Sequence, residues 1–186
     1  MKQSNSRAVL SGTICLFIIC FVVTLTVAGT RAIFKDKIAE QEWQKQQQSM
    51  SQIIDAVSYE EVSAESEQVY IAQDKSGETL GYLFVTEAYG YGSMISVMSG
   101  VADGKVVGIE VLDCTNETPG LGQNVAEASY KKQFKGVTAA PLVTKSDTGA
   151  ENEVEAVTGA TKSSAAVAEA VNKALDLYQA YAGSGK

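Results

Sequence analysis

Hydroxyl-bearing and small residues are concentrated near the C-terminus, in the stretch Thr158-Gly159-Ala160-Thr161-Lys162-Ser163-Ser164. An Ala-rich pattern typical of a helix follows directly, over Ala165–Ala182. The first N–H groups of a helix lack intrahelical partners and carry the positive end of its dipole, so phosphate groups bind there. Gly159 and Ala160 leave the Thr161 hydroxyl open to a large ligand. The alternative is that one of these hydroxyl groups only caps the helix.

A second motif, Glu117-Thr118-Pro119-Gly120-Leu121-Gly122, combines glycines with a proline turn. Pro and Gly at its third and fourth positions predict a type II turn, in which Gly has a positive φ. The two glycines let the backbone approach a planar ligand, and Leu121 is placed to lie against a ring. The alternative is a plain connection from a strand into a helix predicted over Asn124–Phe134.

A Tyr-Gly-Tyr-Gly loop at Tyr89–Gly92 is a third candidate. Tyr91 could stack on a flat ring, since aromatic rings favour offset-stacked contacts. Equally, the glycines could form a turn whose tyrosines fill a gap in the core. The residue types alone leave both possibilities open.

Composition excludes several kinds of chemistry. The 186-residue chain contains no His, which excludes His-based acid–base catalysis and His-ligated haem. Its three cysteines have neither iron–sulfur nor c-type haem spacing, and no metal site is predicted. The net charge of −7 argues against nucleic-acid binding. Redox chemistry in this chain would therefore need an organic cofactor, and a flavin meets that requirement.

An uncharged apolar run lies near the N-terminus, between Arg7 and Arg31. About 20 apolar residues suffice to cross a bilayer as a helix, so residues 8–30 are predicted to be a transmembrane helix. A cleaved signal peptide is the alternative, but the run is longer than a usual signal-peptide apolar region. Basic residues flank both sides, so charge alone does not decide the orientation.

The rest of the chain predicts an α+β fold, with one N-terminal transmembrane helix followed by an antiparallel sheet packed by helices. Residues 31–65 are predicted to form a stalk or first helix, and residues 66–186 the folded domain. Strands are predicted at Val69–Ala72, Leu80–Thr86, Met94–Ser99, Val106–Leu112, Val137–Thr144 and Val154–Val157. Asp103-Gly104-Lys105 predicts a hairpin turn.

The two glycine-containing motifs carry a family resemblance. Glu155-Ala156-Val157-Thr158-Gly159-Ala160-Thr161 resembles the flavinylation signature Asp-x-x-(Ser/Thr)-Gly-Ala-Thr, with Glu155 in place of Asp. The Glu117–Gly122 block matches a second block of the same covalent-FMN domain family. This family includes the G subunits of Rnf electron-transport complexes and the C subunits of Na+-translocating NADH:quinone reductases. With the N-terminal apolar segment, the chain resembles the Rnf G subunits more closely.

The resemblance implies a covalent cofactor, FMN, joined through its phosphate to Thr161 by a separate flavin transferase. It implies that the cofactor site includes Thr158, Gly159, Ala160, Ser163, Ser164, Glu117, Thr118, Pro119, Gly120, Leu121, Gly122 and Tyr91. The Ser163 and Ser164 hydroxyls are expected to hold the phosphate charge. No catalytic residue is expected in the chain itself, since catalysis would belong to the assembly.

The implied function is that of a single-pass membrane protein with a cytoplasmic N-terminus at residues 1–7 and an extracytoplasmic domain. It would relay electrons between other Rnf subunits, in a complex that couples ferredoxin and NAD+ chemistry to Na+ or H+ export. Three alternatives remain: a C subunit of a quinone reductase, a non-redox anchored interaction domain, or a free-standing FMN domain that serves an extracellular reductase.

Overall fold

The computed structural model describes residues 2–62, 68–146 and 149–184. It divides into two compact units, Met1–Gln46 and Gln47–Lys186. The boundary predicted between residues 65 and 66 lies outside the described residues.

The first unit is helical. It consists of the first part of helix α1, Lys2–Ile53, and the same helix continues into the second unit. Its segment Val9–Lys35 is 27 residues long and, by length and composition, apolar enough to cross a membrane. Polar side chains within it bond to the helix itself: Thr24 Oγ1 donates to the Cys20 carbonyl over 2.8 Å, and Thr26 Oγ1 to the Val22 carbonyl over 2.8 Å. These bonds lower the cost of placing hydroxyls in an apolar surrounding.

The second unit is built on a five-stranded antiparallel sheet whose strands are ordered as in the chain. The strands are β1 Ser58–Glu61, β2 Gln68–Gln73, β3 Thr79–Tyr89, β4 Met94–Ala102 and β5 Lys105–Asp113. The predicted hairpin turn is confirmed: Asp103 and Gly104, between β4 and β5, have φ values of 51° and 73°. Two positive φ values identify a type I′ turn, which suits the twist of a hairpin.

One face of the sheet packs against the C-terminal helix α3, Thr161–Ser184. Its buried side chains Val167, Val171 and Leu175 lie in the same core as Phe84 and Val97, as their helical spacing predicts. A hydrogen bond from Thr86 Oγ1 to the Ala170 carbonyl, 2.8 Å long, joins β3 to α3. The predicted fold, an antiparallel sheet packed by helices behind an N-terminal apolar helix, is confirmed.

The opposite face of the sheet receives the end of α1. Met50 and Ile54 are buried there with Leu83 and Met98. Glycine makes this close packing possible, because a Cβ on Gly100 would collide with Ile53 and leave no room for the helix. The end of α1 and strand β1 therefore belong to the folded unit that begins at Gln47, within the residues 31–65 predicted to form a stalk or first helix.

The connection from β5 to α3 is less regular than predicted. Instead of one helix over Asn124–Phe134, it contains a 3₁₀ turn at Gly122–Ala126, helix α2 at Ala128–Lys131 and a second 3₁₀ turn at Lys132–Phe134. Glu127 interrupts the helix with extended backbone, φ −65° and ψ 142°. Strands β6, Leu142–Thr144, and β7, Glu153–Glu155, then pair in parallel. Both are shorter than predicted.

Candidate functional site

The turn before α3 presents Thr161 at the surface. Gly159 has φ +78°, and the N–H of Ala160 bonds to the Val157 carbonyl over 2.9 Å. This positive φ suits glycine, which adopts it without steric cost. We call residues 158–161 the Thr161 turn. Thr158 and Gly159 are exposed, Ala160 is buried, and Thr161 is the exposed first residue of the helix.

The next two hydroxyls point into the protein. Ser163 and Ser164 are 1% and 0% exposed. Ser163 Oγ donates to the Glu117 carboxylate, and Ser164 Oγ accepts from the Val157 N–H over 3.0 Å. Their expected role in holding a phosphate through their hydroxyls does not agree with this geometry, because both hydroxyls are buried and bonded within the protein. These serines fix the conformation of the Thr161 turn instead.

The second motif forms the predicted type II turn, which is confirmed. Gly120 has φ +72°, and the N–H of Leu121 bonds to the Thr118 carbonyl over 3.1 Å. We call residues 118–121 the Pro119 turn, and all four are exposed. This turn meets the Thr161 turn in space, since a Cβ on Gly159 would lie 3.1 Å from Leu121 Cδ2.

The Tyr91 loop, residues 90–93, closes through a hydrogen bond from the Gly90 N–H to the Ser93 carbonyl, 2.8 Å long. It is shorter than the sequence suggests because β3 continues to Tyr89. Tyr89 and Tyr91 are 68% and 67% exposed, so neither fills a core gap. The Lys162 ammonium lies 5.9 Å from the centre of the Tyr91 ring, within reach of a cation–π contact. The loop therefore lies beside the start of α3.

Glu117 joins these segments. It is only 2% exposed, and its carboxylate accepts hydrogen bonds from the backbone of the Tyr91 loop and from Ser163 Oγ. Burial by itself raises the pKa of Glu117. The hydrogen bonds from Ser163 and from the loop N–H groups outweigh burial, so the pKa lies below its ordinary value. The carboxylate is therefore charged at neutral pH and turned away from solvent.

Cys114 lies at the start of the same connection and is half-buried. Its Sγ is 3.9 Å from the Gln123 carbonyl oxygen. Burial, with the negative charges of Asp113 and Glu117, raises the pKa of the thiol. A thiol in such surroundings stays protonated and is a poor nucleophile.

The predicted site residues thus come together from three separate segments of the chain. Exposed Thr161, Tyr91 and Leu121 lie around the N-terminus of α3, and the first N–H groups of a helix are a favourable place for a phosphate. An aromatic and an aliphatic side chain are suited to a flat ring. Among the described residues, no group of His, Cys, Asp or Glu is arranged to hold a metal ion. These residues fit FMN.

Sequence reasoning missed the internal supports of this site. Tyr130 is buried and donates from its hydroxyl to the Ser164 carbonyl over 3.0 Å. Gly92 and Ser93 contribute N–H groups to Glu117. The only signal in the sequence was a carboxylate within a glycine- and proline-containing block. That pattern does not identify the groups that donate hydrogen bonds to the carboxylate.

Comparison with known families agrees with this geometry. Residues 90–176 match the family described as the FMN-binding domain, a range that contains all three segments of the site. Residues 1–53 match the RnfG N-terminal region. The fold and the site thus define an FMN-binding domain attached to an N-terminal apolar helix.

Similar proteins identify a narrower family for the whole chain. The chain is 30% identical, over 98% of each chain, to the G subunit of the proton-translocating ferredoxin:NAD(+) oxidoreductase complex of Clostridium ljungdahlii. It is 29% identical to the G subunit of the ion-translocating oxidoreductase complex of Methanosarcina acetivorans, over 97% of this chain and 100% of that one. A match to the G subunit of the Na(+)-translocating ferredoxin:NAD(+) oxidoreductase complex of Acetobacterium woodii has 39% identity over 60% of this chain and 55% of that one. The chain belongs to the family of Rnf complex G subunits.

Solved structures share the fold. NqrC of Shewanella oneidensis superposes with a TM-score of 0.51 and 20% identity, over 62% of this chain and 63% of that one. The C subunit of the Na(+)-translocating NADH-quinone reductase of Parabacteroides distasonis gives a TM-score of 0.51 and 21% identity, over 60% of each chain. The likeness therefore spans less than two thirds of either solved chain, and it identifies the fold.

Proposed function

We propose that this chain is a membrane-anchored flavoprotein subunit that relays electrons through FMN bound covalently to Thr161. It would act within an Rnf-type ferredoxin:NAD+ oxidoreductase that exports Na+ or H+. Two relatives that match over nearly their whole length support the assembly, one named for a proton-translocating ferredoxin:NAD(+) oxidoreductase complex and the other for an ion-translocating oxidoreductase complex. Their names differ in the ion, so both ions remain in the proposal.

The observation that carries the proposal is the arrangement of hydroxyls at the start of α3. Thr161 is exposed at the first helical position, whereas Ser163 and Ser164 are buried and bonded within the protein. Within the helix's first turn, Thr161 is therefore the hydroxyl open to a large ligand. Its place at the helix N-terminus favours a phosphate there.

FMN would supply the electron-carrying ring, and the protein would hold and orient it. The backbone N–H groups of the first turn of α3 would bind the phosphate. Tyr91 and Leu121, both exposed beside the turn, would lie next to the ring. Gly159 and Gly120, one in each turn, would let the backbone approach the cofactor without side-chain bulk.

A separate flavin transferase is proposed to attach the cofactor, since the chain has no His to activate a hydroxyl. The Thr161 oxygen would form a bond to the FMN phosphorus of FAD. The pyrophosphate bond would break, AMP would leave, and the hydroxyl proton would be released.

The proposed cellular location is inferred from the N-terminal helix. The segment Val9–Lys35 would cross the cell membrane once, with residues 1–7 in the cytoplasm and the domain outside. The proposed partners are the other Rnf subunits, the transferase and the lipid membrane. A second candidate, the C subunit of an NADH:quinone reductase, is favoured only by the shared fold. Identification of the proteins that co-purify with the chain would separate the two.

The decisive experiment is the intact mass of the denatured full chain, produced together with a flavin transferase. Wild type is expected to gain the mass of one FMN less one water, and Thr161→Ala is expected to gain none. Thr79→Ala is the matched control, because it removes an exposed threonine hydroxyl outside the proposed site and should keep the adduct. Absence of the adduct from wild type, with a transferase active on another substrate, would refute covalent flavin and favour an interaction domain.

A further inference from the structure

Glu117 is a charged residue placed almost entirely out of water, at 2% exposure. Burial of an ionised carboxylate is costly unless hydrogen bonds replace its hydration. Here the replacement comes from two other segments of the chain, which gives this carboxylate a role beyond its own turn.

The first of these segments is the Tyr91 loop. The N–H groups of Tyr91 and Gly92 lie 3.0 and 2.9 Å from Glu117 Oε1, and that of Ser93 lies 3.4 Å away. Successive N–H groups that converge on one anion form a nest, and the anion fixes the backbone that supplies them. Glu117 therefore fixes the backbone position from which the exposed Tyr91 side chain projects.

The second segment is the first turn of α3. Ser163 Oγ donates to Glu117 Oε2 over 2.5 Å. Ser163 follows Thr161 by two residues on a rigid helix, so this bond fixes the rotation of the turn that carries Thr161. One carboxylate thus contacts both the loop of Tyr91 and the helix of Thr161.

Glycines surround the carboxylate because there is no space for side chains. A Cβ on Gly90 would lie 2.6 Å from Glu117 Oε1, and one on Gly122 would lie 2.9 Å from Oε2 and 2.8 Å from Ser163 Oγ. All of these distances are shorter than ordinary contacts between such atoms. Gly90 of the Tyr91 loop and Gly122 of the Glu117–Gly122 block are thus explained by one buried group.

We propose that Glu117 is a positioning residue that holds the Tyr91 loop and the first turn of α3 in register around Thr161. It thereby sets the rate at which FMN is attached and the surroundings of the bound ring. The part concerning FMN rests on the proposed function, whereas the part concerning the loop does not.

The test uses the full chain in detergent and compares wild type with Glu117→Gln. This substitution keeps the shape but removes the negative charge and one acceptor oxygen, so the loop N–H groups and Ser163 lose the ionised acceptor that they share. In the chain without FMN, hydrogen–deuterium exchange at residues 90–93 is expected to accelerate about tenfold, while the turn at residues 103–104 is unchanged. With transferase and saturating FAD, FMN attachment to Thr161 is expected to slow about tenfold, and the visible circular dichroism of the attached flavin should change.

Thr86→Val is the matched control, because it removes a buried hydrogen bond away from these segments. It should lower the melting temperature while leaving exchange at residues 90–93, attachment and flavin dichroism as in wild type. If Glu117→Gln behaves like Thr86→Val, Glu117 contributes only to stability and the proposal is overturned. If wild type takes up no FMN, the proposed function fails, and the exchange experiment still decides whether Glu117 positions the loop.

Discussion

Ser163 donates a hydrogen bond to Glu117 across 2.5 Å, although 46 positions separate the two residues in the chain. Both side chains are buried. The bond joins the loop after β5 to the helix that carries Thr161, so the stability of the domain and the geometry of its site depend on the same pair.

Replacement of Ser163 by Ala should destabilise the domain by about 1–3 kcal/mol, because a buried carboxylate loses a donor. Chemical denaturation of the detergent-solubilised chain, followed by circular dichroism, measures the change. Thr161→Ala is the comparison, since Thr161 is exposed, and it should change stability by about 0.5 kcal/mol or less. Equal losses for the two variants would contradict the role given to the Ser163–Glu117 bond.

Acid should weaken the domain in part through Glu117, whose pKa in the folded chain lies below its ordinary value of 4.5. A lowered folded-state pKa means that the group stabilises the fold above its unfolded-state pKa. That contribution disappears as pH falls through the folded-state pKa. Glu117→Gln should therefore flatten the decline in stability below about pH 4.5.

Denaturation midpoints measured from pH 7 to pH 3 for both chains test this. Some slope should persist in the variant, because hydrogen bonds from Thr115 also lower the pKa of Asp113. Two curves that remain parallel throughout would show that Glu117 is not a source of the acid sensitivity.

Ser99 in β4 should tolerate loss of its hydroxyl. Its Oγ is fully buried and, within the part of the chain that the structure describes, has no hydrogen-bond partner. Its cross-strand neighbours are Phe84 and Ile109. Ser99→Ala is expected to leave stability unchanged or raise it by up to about 1 kcal/mol, since an unsatisfied polar group is removed from the core.

The control for Ser99→Ala is Thr86→Val, which also removes a buried hydroxyl from the sheet. That hydroxyl is bonded to the Ala170 carbonyl, so its loss should cost about 1 kcal/mol. A clear loss of stability in Ser99→Ala, by thermal or chemical denaturation, would mean that this hydroxyl has a partner in solution.

Gly100 and Gly108 are cross-strand partners with different space around them. A Cβ on Gly100 would collide with Ile53 and lie 3.3 Å from Ile54 Cγ1, whereas one on Gly108 would lie 3.6 Å from Ile53 Cγ2, an ordinary contact. Gly100→Ala should therefore destabilise the domain by about 1–3 kcal/mol. Gly108→Ala should change it by about 0.5 kcal/mol or less. Equal effects in denaturation experiments would contradict the packing of α1 on this strand pair.

Local features of the fold could be predicted from the sequence because their causes are local. Pro119 and Gly120 specify a type II turn, and Asp103-Gly104 a hairpin turn, through the φ values that these residues adopt easily. The apolar spacing of Val167, Val171 and Leu175 likewise identified the face of α3 that is buried. Each of these inferences needed only neighbouring residues.

The supports of the site could not be predicted, because they join segments far apart in the chain. A serine that binds phosphate and a buried structural serine cannot be told apart by residue type. Only the fold shows that the hydroxyls of Ser163 and Ser164 point inward. The family resemblance placed Glu117 in the cofactor site, but the partners of its carboxylate are N–H groups of a loop 24–26 residues earlier. β1 was missed for a related reason, since its four residues are stabilised by pairing with β2.

The packing of Ile53 and Ile54 on the glycines of the sheet decides where a protease can release the domain from the N-terminal apolar helix. Cleavage before Gln47 would free a domain that still carries Met50 and Ile54 in its core. Cleavage after Ile54 would uncover Leu83 and Met98 and leave an exposed apolar sheet face that is prone to aggregation. The last turns of the helix are thus part of the soluble domain, and shedding an intact domain requires a cut within the helix.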